Sequence, residues 1–175
     1  MKFVGEKGRV PGARRHGFTN SPLVVGGMVY ATVGGKGHGV VCFNRTNGKV
    51  IWNALDYEPG YAPPVPAVLA GRQQFICFFV DGVVGVDVRN GAELWKIPMK
   101  TDYGRHVAAP LSHKDIVVAG SHQVGLQGIR VSRKGDKLSA AKVWKNIEAQ
   151  PNITHGVRVG NHYYGLGDPA KLVCV

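Results

Sequence analysis

The sequence predicts an all-β protein built from a repeated four-stranded unit, which is the architecture of a β-propeller. Three observations lead to this fold class. The chain has 25 glycines and 10 prolines in 175 residues, so one residue in five is a turn or break signal. Its apolar residues form short runs between these signals, and none keeps helical spacing beyond one turn. Pro22, Pro66 and Pro110 recur at intervals of 44 residues, and His155 takes the corresponding place 45 residues later.

The first repeat shows how each unit divides into strands. Its apolar runs predict strands near residues 22–25, 28–33, 39–44 and 49–54. The last two are separated by Asn47-Gly48, and Asn90-Gly91 stands at the same place in the second repeat. Asn-Gly between β-branched runs predicts a two-residue type I′ hairpin turn, because both central residues need positive φ.

The repeats divide the chain into one partial propeller over residues 1–175. They cover approximately residues 18–61, 62–105, 106–150 and 151–175, and residues 1–17 are a remnant of a preceding segment or an irregular N-terminus. The third repeat replaces the tight turn by a longer connection through residues 132–137, and the fourth is incomplete. About three and a half blades leave a sheet edge open. We therefore expect the ring to be completed by further sequence or by another chain.

One tryptophan per complete repeat lies on the last strand of its hairpin. These residues are Trp52, Trp95 and Trp144. A large ring at one position in every blade can wedge between neighbouring sheets and fix their geometry. A ring that stacks on a bound cofactor would need only one special tryptophan, so the period favours a structural role, with Gly48 and Gly91 completing the docking motif.

The segments from Cys42 to Trp52 and from Gly85 to Trp95 resemble the tryptophan-docking motif A-x-D-x-x-T-G-x-x-x-W of the PQQ-like (pyrroloquinoline quinone) β-propeller repeat family. Both segments match the motif at three positions: a small first residue, Asn44 or Asp87 at the third position, and the glycine. The motif's threonine is replaced by Asn47 and Asn90. The resemblance extends from about residue 18 to the C-terminus.

Two functions follow from this resemblance. The family includes non-enzymatic extracytoplasmic bacterial propellers similar to the outer-membrane-assembly lipoprotein, and the chain is most similar to unassigned members of that group. The resemblance therefore implies a non-catalytic binding or scaffolding module, periplasmic or extracytoplasmic, without a cofactor. The alternative is a fragment of a PQQ-dependent alcohol or sugar dehydrogenase, which would use the quinone with calcium. The vicinal cysteine pair typical of those enzymes is absent, and neither their calcium ligands nor their catalytic aspartate can be matched.

Charge and cysteine content exclude several classes of site. The 22 basic and 11 acidic residues give a net charge of +11, but the excess is spread along the chain, without a motif for specific nucleic-acid binding. Cys42, Cys77 and Cys174 have neither disulfide-framework nor metal-ligand spacing, so no metal site is expected. No apolar run is long enough to cross a membrane, and the N-terminus has no signal-peptide core.

Candidate ligand contacts precede the first strand of each repeat. They are Arg14, Arg15, His16, Tyr61, Arg105, His106 and His155. In a propeller the first strands line the central channel, so these segments are expected to meet at one mouth of it. Arginine and histidine there would suit a small anionic ligand or the carboxylate of a protein partner. The alternative is that they are solvated loop residues of a basic protein.

Overall fold

The computed structural model describes residues 19–167 and 171–175, which form fifteen β-strands in four antiparallel sheets. Blade 1 contains β1 (Leu23–Val25), β2 (Met28–Ala31), β3 (Val40–Asn44) and β4 (Val50–Ala54). Blade 2 contains β5 (Val65–Leu69), β6 (Arg72–Phe79), β7 (Gly82–Asp87) and β8 (Glu93–Pro98). Blade 3 contains β9 (Leu111–His113), β10 (Ile116–Ser121), β11 (Gly125–Lys134) and β12 (Lys137–Asn146). Blade 4 contains β13 (Val157–Val159), β14 (His162–Gly167) and β15 (Lys171–Cys174).

The order of strands within every sheet follows the order of the chain. Three sheets have four strands and the fourth has three, so the predicted all-β, partial propeller is confirmed. The described residues contain no helix that is long and apolar enough to span a membrane. Arg14, Arg15 and His16 lie outside the described residues.

This topology gives the array two faces. The tight turns between the first and second strands, and between the third and fourth, lie on one face, which we name the turn face. The connections between the second and third strands, and those that lead into the next blade, lie on the other, which we name the loop face. Four of the predicted contacts are on the loop face: Tyr61, Arg105, His106 and His155.

The hydrophobic core lies between blades. One cluster joins blades 1 and 2 through Tyr30, Val40 and Phe75, and another joins blades 2 and 3 through Ile76, Trp95 and Ile129. Every residue of β7 is buried, because blade 2 is covered on both sides. Each sheet therefore depends on its neighbour for burial, as expected of a repeat array.

Each tryptophan lies opposite a small residue of the neighbouring strand. The cross-strand pairs are Cys42–Trp52, Gly85–Trp95 and Gly128–Trp144, and a register shift follows the small residue each time. A Cβ built at Gly85 or Gly128 would overlap the indole ring of its partner. The first position of the repeat is small because the ring covers it, which gives Cys42 a packing role as well.

The tryptophans also reach the next blade. The ring of Trp52 is nearly parallel to Phe75 of blade 2, with 6.4 Å between centroids and an interplanar angle of 6°. Trp95 packs in the cluster that contains blade 3 residues and donates its indole N–H to Oε1 of Gln74 at 2.6 Å. Trp144 packs beside the cluster that contains Tyr163 of blade 4.

The type I′ turns predicted at Asn47-Gly48 and Asn90-Gly91 are wrong. Gly48 and Gly91 have positive φ (68° and 75°), whereas the two asparagines do not. Each hairpin instead has a longer turn, closed by a bond from the glycine N–H to the backbone carbonyl oxygen four residues earlier, in Asn44 or Asp87 (2.9 Å each). The side-chain oxygen of Asn44 accepts the N–H of Thr46, and that of Asn47 accepts the N–H of Lys49 (2.8 and 3.0 Å). Side-chain caps of this kind stabilise a turn without requiring positive φ at asparagine.

The third hairpin also differs from its prediction. Its extra residues do not form a longer loop but extend both strands to ten residues, up to the pair Lys134–Lys137. A two-residue turn follows, in which Gly135 has φ 60°. The hairpin is stabilised where it leans against blade 2, because Leu138 and Ala140 pack on the core between blades 2 and 3.

Candidate functional site

Hydrogen bonds on the loop face join each blade-leading segment to the next. The side chain of Asn20 donates to the carbonyl oxygen of Gly60 at 3.4 Å. The backbone N–H groups of Tyr61 and Ala62 both donate to the carbonyl oxygen of His106 at 2.8 Å. The N–H of Ala109 donates to Nδ1 of His155 at 2.7 Å. The structure thus brings Tyr61, His106 and His155 to successive joints between blades.

The side chain of His106 belongs to the interior. It is fully buried and stacks on Phe78, with 4.1 Å between ring centroids and an interplanar angle of 5°. Its Nε2 donates to the carbonyl oxygen of Val80 at 3.2 Å. Burial lowers the pKa of His106 to about 4, so the ring is neutral near pH 7. His106 holds the joint together and offers no exposed surface to a ligand, and Tyr61 is buried as well.

Arg105 lies in an accessible cluster, which we name the Tyr103 cluster, with Tyr103 and His122. The guanidinium carbon of Arg105 is 5.0 Å from the centroid of the Tyr103 ring. The ring of His122 is stacked 6.4 Å from that of Tyr103, with an interplanar angle of 23°. Tyr103 is 53% exposed whereas His122 is 9% exposed, so the exposed phenol ring packs against a buried imidazole.

The hydrogen bonds of Ser121 fix the tautomer of His122. The Ser121 hydroxyl donates its one proton to the carbonyl oxygen of Arg105 at 2.9 Å. It lies 3.2 Å from Nδ1 of His122, and it must accept there because its proton is already used. Nδ1 therefore carries the ring proton, and Nε2 presents a lone pair.

Two polar atoms of the cluster have no hydrogen-bond partner among the described residues: Nε2 of His122, an acceptor, and Nε of Arg105, a donor. Burial lowers the pKa of His122, and the charge of Arg105 lowers it further, while Asp102 acts in the opposite direction. The neutral ring is thus kept as an acceptor beside a permanent donor. Both atoms are inaccessible to solvent, and buried polar groups without partners destabilise a fold.

The cluster is held by side-chain amides from neighbouring connections. Gln123 accepts the N–H of Asp102 at 3.0 Å and donates to the carboxylate of Asp102 at 2.8 Å. The N–H of Gln123 donates to the side chain of Gln150 at 3.0 Å. Gln123 has φ 68°, a conformation that non-glycine residues adopt at a cost. Three connections of the loop face are therefore cross-linked around the cluster.

Arg105 was predicted from the sequence, whereas Tyr103 and His122 were not. The predicted contacts lie in the segments that lead into each blade, and His122 lies elsewhere, directly after β10. The signal was the pair Ser121-His122, two polar residues that end an otherwise apolar strand. A ligand-contact role for Arg14, Arg15 and His16 stays a prediction, because these residues lie outside the described part of the chain.

The described residues contain no cluster of side chains of the kind that holds a metal ion. Calcium takes six to eight oxygen ligands, mainly from carboxylates and carbonyls. Within residues 19–167 and 171–175, no group of three or more His, Cys, Asp or Glu side chains could hold a metal ion. Cys42 and Cys77 are buried free thiols. The Tyr103 cluster offers an exposed aromatic ring beside a guanidinium group, and both residue types are enriched on protein-recognition surfaces.

Comparison with known proteins identifies the family. The family model described as outer membrane protein assembly factor BamB matches residues 9–175. The chain belongs to this family. A search of the curated proteins found no match.

Two solved structures are similar to the chain in fold. BamB from Moraxella catarrhalis aligns with a TM-score of 0.61 at 15% identity, over 84% of this chain and 45% of that one. The computationally designed Ika4 protein aligns with a TM-score of 0.61 at 13% identity, over 91% of this chain and 93% of that one. The chain thus spans less than half of the Moraxella BamB, but nearly all of Ika4. At these identities the likeness shows the PQQ-like repeat propeller fold alone.

Proposed function

We propose that this chain is a non-catalytic propeller module that binds a protein partner through the Tyr103 cluster on its loop face. One observation carries the proposal: the exposed ring of Tyr103 is held on the loop face by contacts with the guanidinium group of Arg105 and the ring of His122. Tyrosine and arginine are enriched among the residues that dominate protein–protein binding.

The form of the cluster favours a peptide ligand. The exposed Tyr103 ring offers apolar contact area, and its hydroxyl group can donate to or accept from the backbone of a peptide. Hydrogen bonds from Gln123 already order the surrounding connections, so little conformational entropy remains to be lost on binding. A segment of a partner in extended conformation satisfies these conditions.

The family supplies the cellular setting of the proposal. Its name is that of an outer membrane protein assembly factor, so we place this chain outside the cytoplasm, with a partner in the assembly of the cell envelope.

Because the described sheets form a partial ring, we propose that further sequence or a second chain completes it. Light scattering after size-exclusion chromatography tests whether the ring needs completion. A stable monomer of 175 residues with a sharp, two-state melting transition would contradict this need.

Position-specific photocrosslinking tests the protein-binding function. A benzophenone amino acid replaces Tyr103 in one variant, and in the control it replaces Ile153, which is 69% exposed in the connection before blade 4. In the native cells we expect one discrete crosslinked species from position 103 and none from position 153. Arg105→Gln in the position-103 variant should weaken that crosslink at least threefold. No crosslink at position 103, or the same species from both positions, contradicts the proposal.

The dehydrogenase alternative has a direct test. The full chain is mixed with pyrroloquinoline quinone and calcium, and dye-linked oxidation of alcohols and sugars is measured together with quinone absorbance. We expect neither oxidation nor a spectral shift. An activity that depends on added quinone would replace the non-catalytic function by the dehydrogenase.

A further inference from the structure

Three arginines meet on the turn face, at the junction of blades 2 and 3. Arg72 begins β6, Arg89 lies in the turn after β7, and Arg133 is near the tip of the long third hairpin. All three line one cleft of about 560 Å³, together with Gln73 and Asp136. The cleft is open to solvent and lies on the opposite face from the Tyr103 cluster.

A buried carboxylate positions two of these arginines. Asp87 is 1% exposed and accepts from Nη2 of Arg72 at 2.5 Å and from Nε and Nη2 of Arg89 at 3.1 and 2.8 Å. It also accepts the backbone N–H of Arg89 at 2.9 Å. These four bonds use the acceptor capacity of the carboxylate, so Asp87 offers nothing to a ligand. It fixes the two guanidinium groups in place.

The third arginine is supplied by the neighbouring blade. Arg133 donates to the backbone of Gly135 at 2.7 Å and to the carboxylate of Asp136 at 3.2 Å. Arg72 ties the two blades together by donating to the carbonyl oxygen of Asp136 at 3.2 Å. The Nη1 groups of Arg89 and Arg133 make no hydrogen bond within the described part of the chain, so each has donors to spare.

The architecture of the turn does not require these charges. In blade 1 the residue that corresponds to Asp87 is Asn44, and its neutral amide caps the same turn. Thr46 stands where blade 2 has Arg89, so no ion pair is needed there. The arginines are therefore specific to the junction of blades 2 and 3, where Lys134 and Lys137 at the hairpin tip add further exposed positive charge.

We propose that this cleft binds a phosphate group, contacted by Arg89 and Arg133 and positioned by Arg72 and Asp87. Guanidinium groups bind oxyanions through paired N–H donors. Two guanidinium groups from different blades suit a tetrahedral anion with at least three free oxygens, because a carboxylate has only two oxygens to share. The phosphate belongs either to a lipid headgroup or to a free phosphorylated molecule. This site is independent of the proposed protein-binding surface.

Binding of inorganic phosphate to the full chain, measured by isothermal titration calorimetry with acetate as the comparison anion, tests the site. The variant Arg89→Gln/Arg133→Gln should bind phosphate at least tenfold more weakly. The matched control Arg45→Gln/Lys49→Gln removes two exposed positive charges from the turn face of blade 1 and should bind like the original chain. Arg133→Gln alone is a second variant that leaves the bonds of Asp87 intact, because Arg133 does not contact Asp87. It should weaken phosphate binding at least threefold without altering the fold.

Sedimentation with vesicles distinguishes the two sources of phosphate. Saturable binding to vesicles that contain phosphatidic acid, whose phosphomonoester has three free oxygens, assigns the site to lipid headgroups if the double variant loses it and the control keeps it. Phosphate binding without vesicle binding assigns it to free phosphorylated molecules. The proposal is overturned if phosphate does not bind saturably, if acetate binds as tightly, or if the control variant loses as much affinity as the double variant.

Discussion

Replacing Trp95 by phenylalanine tests whether the blades depend on the indole hydrogen bond as well as on the size of the ring. Trp95 is 4% exposed and donates to Gln74 at 2.6 Å, whereas the indole N–H of Trp52 has no partner among the described residues. The two tryptophans occupy the same position of successive repeats. Trp52→Phe is therefore a matched control that removes the same atoms without breaking a hydrogen bond.

The expected cost follows from two contributions. Loss of the bond leaves the buried oxygen of Gln74 without a partner, which costs about 1–3 kcal/mol. The smaller ring leaves a void that adds about 1 kcal/mol. Trp95→Phe should thus lower the free energy of unfolding by about 2–4 kcal/mol, and Trp52→Phe by about 1 kcal/mol or less. For a chain of this length, a difference of about 2 kcal/mol between the two variants corresponds to a melting temperature lower by roughly 4–8 °C for Trp95→Phe.

The assay is urea unfolding followed by circular dichroism, with the denaturant dependence of the free energy checked to be unchanged. Gln74→Leu completes a double-mutant cycle with Trp95→Phe. Alone, Gln74→Leu should destabilise the chain because it leaves the indole N–H unpaired. In the Trp95→Phe background it should restore about 1 kcal/mol because it removes the orphaned amide. Equal effects of the two phenylalanine variants, or strictly additive effects in the cycle, would falsify the reasoning.

Two further predictions concern the joints between blades. A Cβ at Gly91 would lie 2.6 Å from the Trp52 ring, whereas one at Gly48, with similar φ, would meet nothing within 4 Å. Gly91→Ala should therefore cost about 2 kcal/mol more in thermal or urea unfolding than Gly48→Ala, and equal costs would argue against docking at that turn. The pKa of His106 is lowered from 6.5 to about 4, so stability due to the neutral ring is complete above pH 6.5 and is lost as the pH falls towards 4. Between pH 6.5 and 4, the free energy of unfolding of His106→Gln should fall by up to about 3 kcal/mol less than that of the original chain, as measured by urea titrations. If both proteins show the same pH dependence, His106 is not the group responsible.

The sequence was sufficient to predict the repeat and the fold, because the period of 44 residues and the placement of the tryptophans follow from burial between sheets. It was less reliable for local geometry. Asn47-Gly48 looks like a two-residue turn, yet the side chain of Asn44 caps a longer one. The third hairpin has no apolar alternation near its tip, so its long strands cannot be distinguished from a loop. Their pairing is stabilised by contact with blade 2, which only the folded structure shows.

The candidate sites were predictable only in part. Arg105 was identified because it precedes a blade, but the contact of its neighbour Tyr103 with His122 joins two different connections, one before β9 and one after β10. His106 carries the same sequence signal as Arg105, and burial against Phe78 gives it a packing role instead. The arginine cleft joins two repeats through the bond from Arg72 to Asp136. Two of its arginines are positioned by Asp87, a motif residue that sequence alone assigns to turn formation.

The hydrophobic clusters between sheets also determine how the chain resists opening. Blades 2 and 3 each contribute to two such clusters, whereas blades 1 and 4 each contribute to one of those formed by the described residues. Blade 2 is the better covered of the inner two, because β7 is buried throughout while β11 is partly exposed. In a nearest-neighbour array, local opening starts at the ends and stops at the best-covered unit. Amide protons of β7, all of whose residues are buried, should therefore exchange with deuterium only through global unfolding, and those of β13 should exchange far sooner. The chain then has a gradient of local stability, with blade 2 as the last segment to open.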